Sequence, residues 1–152
     1  MEFLMTYGWA ILVVLAAIGA LAATGVLDMG NLAPDKTTFP TPMLNTEAAV
    51  VMYDEVADEI EVQVPFANNF GKTVVINQTA GYGGTDDCES PIDFNATPAN
   101  PGNNDEFIAT WTCPAGDFNQ GDKFKADLSF TYKSTTSELE RPHSGNVIAK
   151  IQ

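Results

Sequence analysis

Two hydrophobic rhythms divide this chain. Between Phe3 and Leu27, in MEFLMTYGWAILVVLAAIGALAATGVL, almost every position is apolar and none is charged. Leu, Val, Ile and Ala recur on all sides, so no polar face exists. A helix of that kind must be buried, in lipid or in protein. A run of about 25 residues would be about 37 Å long as a helix, enough to cross a bilayer. Four prolines and glycines then interrupt GNLAPDKTTFPTPMLN, and proline cannot continue a helix. The helix is therefore expected to end between Leu27 and Ala33, with an extended stalk after it.

Beyond residue 45 the period drops to two. EIEVQVPF alternates Ile60, Val62 and Val64 with Glu59, Glu61 and Gln63, the pattern of a half-buried strand. AAVVMY, KTVVINQT, EFIATWTC, KFKADLSFTYK and NVIAKI also read as strands, and Phe124, Ala126, Leu128, Phe130 and Tyr132 share one face. Turn signals lie between them, including GYGG at 81–84 and RPHSG at 141–145. Residues 84–105 read as one long loop. Six or seven short strands predict an antiparallel sandwich around Trp111 and Phe130. The expected class is α+β: a long N-terminal hydrophobic helix (1–33), a linker (34–45) and an antiparallel β-sandwich head (46–152), immunoglobulin-like in outline.

Charge narrows the role. Seven basic side chains face 20 acidic ones, a net charge of −13 in 152 residues. Such a surface repels polyanions, so no nucleic-acid partner is expected. Cys88 and Cys113 are an even pair, which in an exported domain predicts one disulfide. Asn77-Gln78-Thr79 and Asn95-Ala96-Thr97 match the acceptor pattern for N-glycosylation, making Asn77 and Asn95 candidate glycan sites.

Catalytic chemistry is sparse. The one histidine, His143, reads as a surface residue in a turn. Asp86, Asp87, Asp93, Asp105 and Glu106 could offer oxygen ligands to calcium, but without the spacing of a calcium loop. No catalytic residue, cofactor or metal is assigned, and an enzyme is not expected.

The head of the chain is more informative. A cleaved signal peptide would begin with basic residues and carry a shorter apolar run. A plain membrane anchor fits the length and leaves two features aside. Gly8, Ala16 and Ala20, with Gly19 and Ala23, put small residues at spacings that let helices approach closely. Glu2 places a carboxylate at the end of an apolar helix, costly unless paired, for example by an amino terminus. A third reading absorbs both: a helix held first in lipid and later in a bundle of identical helices.

MEFLMTYGWAILVVLAAIGAL resembles the N-terminal segment of archaeal type IV pilin-like proteins, the class with a type III signal peptide. Glu2-Phe3 matches that family's Glu-Phe pair. NNFGKTVVINQTAGYGGT and RPHSGNVIAKIQ are more weakly similar to its head domains. The resemblance implies a pilin-like head and assembly through Glu2, Phe3, Gly8, Ala16, Gly19, Ala20 and Ala23. It also implies a leader removed by a prepilin peptidase, a membrane-inserted stage, and export to a surface filament that is a helical homopolymer serving adhesion to surfaces or cells. The alternative is a single-pass anchored β-domain that binds a partner.

Overall fold

The computed structural model describes residues 2–23, 34–85, 88–89 and 92–152, with side chains for all of these save 2–6, 80, 84, 85 and 89. The described chain divides into two compact units, residues 1–33 and 34–152.

The first unit holds α1, Glu2–Ala23. Among the described residues no helix is long and apolar enough to cross a membrane. The α+β expectation with a long apolar N-terminal helix is therefore corrected: the chain is mainly β, with 54% strand in two antiparallel sheets. The expected helix end between Leu27 and Ala33 lies outside the described residues.

Among the described residues the second unit contains ten strands: β1 Lys36–Thr38, β2 Met43–Asn45, β3 Val50–Asp54, β4 Glu59–Asn68, β5 Val74–Thr85, β6 Cys88–Glu89, β7 Asp93–Thr97, β8 Glu106–Pro114, β9 Lys123–Ser134 and β10 Arg141–Lys150. One sheet runs β1-β10-β9-β5-β6. The other runs β2-β4-β8-β7, with β3 also paired to β4. Where the sequence pattern suggests six or seven strands, three or more are too short to show a period. β1 and β2 lie in the proline-rich stretch 34–45, which belongs to the β unit instead of forming a linker. Phe39 and Met43 from that stretch are buried in the core. β6 and β7 lie in the segment read as a loop. β7 pairs with β8 in full register, and its Phe94 and Ala96 face inward.

Alternation drives this packing. β4, β8 and β9 each bury every second side chain, as β-branched and aromatic residues on a pleated surface do. The inward faces of the two sheets meet over an aromatic centre. Phe130 of β9 stacks on Phe94 of β7, centroids 5.6 Å apart, and lies 6.1 Å from Trp111 of β8. The buried Trp111 indole N–H donates to the Ser129 carbonyl of the facing sheet at 3.1 Å, which satisfies the polar end of that ring.

Three further links join the sheets. At one edge the chain end runs beside β3: Gln152 N–H donates to the Val51 carbonyl at 2.9 Å, and Tyr53 N–H to the Gln152 carbonyl at 3.3 Å. At the other edge Gln78 of β5 reaches Ala96 of β7. Beside it, Cys88 and Cys113 form a disulfide between β6 and β8. A crosslink spanning a loop of 25 residues stabilises by roughly 3–4 kcal/mol in the chain-entropy picture.

Candidate functional site

Every described side chain of α1, residues 7–23, is exposed. Trp9 is 70% exposed, Leu12 67% and Leu15 63%. Over the last two turns, at about 100° per residue, Ala16, Gly19, Ala20 and Ala23 fall within an arc of roughly 100°. A Cβ added at Gly8 or at Gly19 would meet nothing within 4 Å. The glycines there are not demanded by packing within the chain. Glu2 and Phe3 lie in α1, with side chains outside the described residues.

His143 corrects the sequence reading twice. It lies in β10, not in a turn, and it is buried. Pro142 lies opposite Thr131 of β9, but β1 pairs only with residues 146–148 of β10, so on its other side Pro142 sits beyond the reach of β1, where a missing N–H is tolerated. The imidazole is enclosed by aromatic rings, with Phe130 at 5.3 Å and Phe39 at 5.8 Å between centroids. Its Nε2 lies 2.8 Å from the Met43 carbonyl. A carbonyl only accepts, so Nε2 carries the proton of a neutral ring. Burial pushes its pKa below the ordinary imidazole value, against the smaller opposing effect of that hydrogen bond.

The two glycan candidates share one seam. Asn77 is half-buried on β5, and its Oδ1 accepts from Thr79 N–H at 3.0 Å and from the Thr79 hydroxyl at 2.9 Å. Asn95 is exposed on β7. The middle residues of the two triplets, Gln78 and Ala96, are hydrogen-bonded to one another across the sheets.

The acidic candidates separate. Asp93, Asp105 and Glu106 are exposed, and Asp105 is used locally, its Oδ2 accepting from Gly102 N–H at 2.9 Å. Asp86 and Asp87 lie outside the described residues. Among the described residues no three His, Cys, Asp or Glu side chains come together to hold a metal ion.

The GYGG segment is strand, not turn. Gly83 of β5 lies so near β6 that a Cβ there would collide with the Cys88 carbonyl. The ring of Phe94 occupies the space that a side chain at 81 would need.

Two surface features have no counterpart in the sequence reading. The lysines at 36, 123, 125 and 150 fall on one face of the first sheet, and the turn between β3 and β4 carries Val56 at 98% exposure. Lys123 and Lys125 alternate visibly in the sequence, but their alignment with Lys36 and Lys150 depends on register between distant strands.

No family model, no curated protein and no solved structure matches this chain.

Proposed function

We propose that this chain is a structural subunit of an archaeal type IV pilus-like surface filament, polymerising through α1. One observation carries the reading: the side chains of α1 from residue 7 to residue 23 are exposed, Tyr7, Trp9, Ile11, Leu12, Leu15 and Ile18 among them. A water-soluble monomer rarely keeps so much apolar surface open. Copies of the same helix can cover it, gaining about 25 cal/mol per Å² removed from water. The small-residue arc of Ala16, Gly19, Ala20 and Ala23 gives a neighbouring backbone room to approach. A contact between different surfaces of successive copies does not close on itself and grows as a helical polymer.

The β unit supports the same reading from the outside. A surface this acidic keeps polymers apart, and the Cys88–Cys113 bridge suits an oxidising, extracellular setting. Asn77 and Asn95 are the glycan acceptors of this proposal. The likeness of MEFLMTYGWAILVVLAAIGAL to pilin-like amino termini supplies the class. With it come processing by a prepilin peptidase, delivery by an assembly machinery, and a role in adhesion or surface attachment.

The test is electron microscopy of material sheared from producing cells. The wild-type chain is expected in filaments. Gly19→Leu meets no obstacle within its own chain and improves helix propensity, yet should abolish filaments while the β unit melts as before. Glu2→Ala should do the same. Wild-type material without polymer, or filaments of normal abundance from Gly19→Leu, overturns the proposal.

A further inference from the structure

The β unit presents two surfaces of opposite charge that complement one another. The first is a lysine-framed face. In the register of β1, β10 and β9, Lys36 lies opposite Ile148, and Ile148 opposite Lys125. In the next outward-facing row Lys150 lies opposite Lys123. Alternation confirms a common outer face, because Thr37 lies opposite buried Val147, while Phe124, Ala126 and Ala149 point into the core. Four of the chain's seven basic residues thus frame the half-buried Ile148, in a protein of net charge −13. Asp35 pairs with Lys123, and Asp127 flanks Lys125 on the same strand. Like charges directly opposite one another cost stability, and Asp35, which interacts with both Lys123 and Lys150, offsets part of that cost within the chain.

The second surface is the turn from β3 to β4, with the sequence DEVADE at 54–59. All six residues are exposed, and Val56 stands at its apex, 98% exposed. The turn is held in one shape. Asp54 Oδ1 accepts from Val56 N–H at 2.8 Å and from Ala57 N–H at 3.2 Å. Asp58 N–H donates to the Asp54 carbonyl at 2.9 Å, and the Tyr53 hydroxyl to Asp58 Oδ1 at 3.3 Å. A β-branched residue offered to solvent at a rigid, acid-ringed tip is prepared for contact, because little entropy is lost when it docks.

We infer that the lysine-framed face around Ile148 receives the acidic 54–59 turn of a second copy of this chain. Val56 packs on Ile148, with Glu55 and Glu59 against Lys36 and Lys150. Turn and face are different patches, so the contact propagates when each copy gives its turn to one neighbour and receives the turn of another. It rests on the filament reading above and adds a second, electrostatic contact between the β units of neighbouring subunits.

Zero-length carbodiimide coupling tests it, since that reagent joins a lysine only to a carboxylate already in contact with it. Full-length chain from a mixture of unlabelled and nitrogen-15-labelled protein is coupled, digested and analysed by mass spectrometry, with the same preparation imaged for filaments. Mixed-label crosslinks from Glu55 or Glu59 to Lys36 or Lys150 are expected. Lys36→Glu with Lys150→Glu should reduce crosslinking to the turn about tenfold. Adding Glu55→Lys and Glu59→Lys should restore it. Filaments without these crosslinks overturn the inference and leave the filament reading standing. Crosslinks without filaments support the contact and overturn the filament reading. With neither, both fall. If the lysine face instead couples to no copy of the chain and binds anionic lipid vesicles, loss of that binding in the double lysine variant overturns the inference in favour of a membrane surface.

Discussion

The side-chain amide of Gln78 pairs with the backbone of Ala96 as a strand residue would. Its Nε2 donates to the Ala96 carbonyl at 2.9 Å, and its Oε1 accepts from the Ala96 N–H at 2.8 Å. β7 is the last strand of its sheet, and an edge of that kind offers unpaired donors and acceptors to other chains. The glutamine occupies one such pair and ties it to the opposite sheet.

Removing that clamp should therefore be felt twice. Gln78→Ala leaves a carbonyl and an N–H without protein partners, which costs about 1–2 kcal/mol where the groups are part-buried. For a β unit of this size the expected melting-point loss is roughly 4–8 °C. Gln78→Glu keeps the acceptor and loses the donor, so it should fall between. Calorimetry of the three proteins checks the order, and equal melting points would show that the clamp contributes nothing.

The glycines of β5 and β10 yield a second prediction. A Cβ at Gly83 would collide with the Cys88 carbonyl, and one at Gly145 with the Thr38 carbonyl and the Phe39 ring. Backbone cannot yield as a flexible side chain can, so Gly83→Ala and Gly145→Ala should each destabilise by about 1–3 kcal/mol. Gly71→Ala is the informative contrast. Its Cβ would meet nothing within 4 Å, and its cost comes from a backbone at φ +80. Urea unfolding of the three variants measures the difference. A Gly83→Ala protein as stable as the wild type would mean that β6 does not sit where the structure places it.

These glycines also show where the sequence could be read and where it could not. β4, β8 and β9 are legible because one sheet face is buried and the period of two runs for nine residues or more. β7 is hidden because five residues within an Asn-, Asp- and Pro-rich stretch leave only Phe94 and Ala96 to mark its inner face. GYGG resembles a turn because glycine marks both turns and close backbone approach, and only the position of Cys88 separates them. RPHSG resembles a turn for a related reason: Pro142 and Gly145 are tolerated in β10 through the short reach of β1 and the packing of Phe39. The apolar character of residues 7–23 is visible in sequence, whereas their exposure is not, since an apolar run reads the same whether it is buried or open. The lysine face depends on register across three strands, which composition cannot encode.

The buried imidazole sets a pH dependence whose sign follows from its surroundings. Burial among Phe39, Phe66, Phe130 and Tyr132 holds the His143 pKa below its ordinary value. The unfolded chain then takes up a proton near pH ~6.5 while the folded chain does not. Stability therefore rises with pH across that window. The contribution of the neutral ring is complete above pH ~6.5 and is lost progressively as pH falls from there toward the lowered folded value. Protonation would also place a charge between aromatic rings, with the Met43 carbonyl as its hydrogen-bond partner among the described residues. Carboxylates titrate lower: Asp35, held below the usual carboxylate range by the Lys123 ammonium, loses its contribution only as pH falls through its own reduced value. Urea midpoints measured from pH 7.5 to 5 should decline in the wild type. In His143→Gln, which keeps an N–H for the Met43 carbonyl and does not titrate, the midpoint should be lower at pH 7.5 and flatter across the same range. Equal slopes in the two proteins would assign the acid sensitivity to the carboxylates and remove His143 from the account.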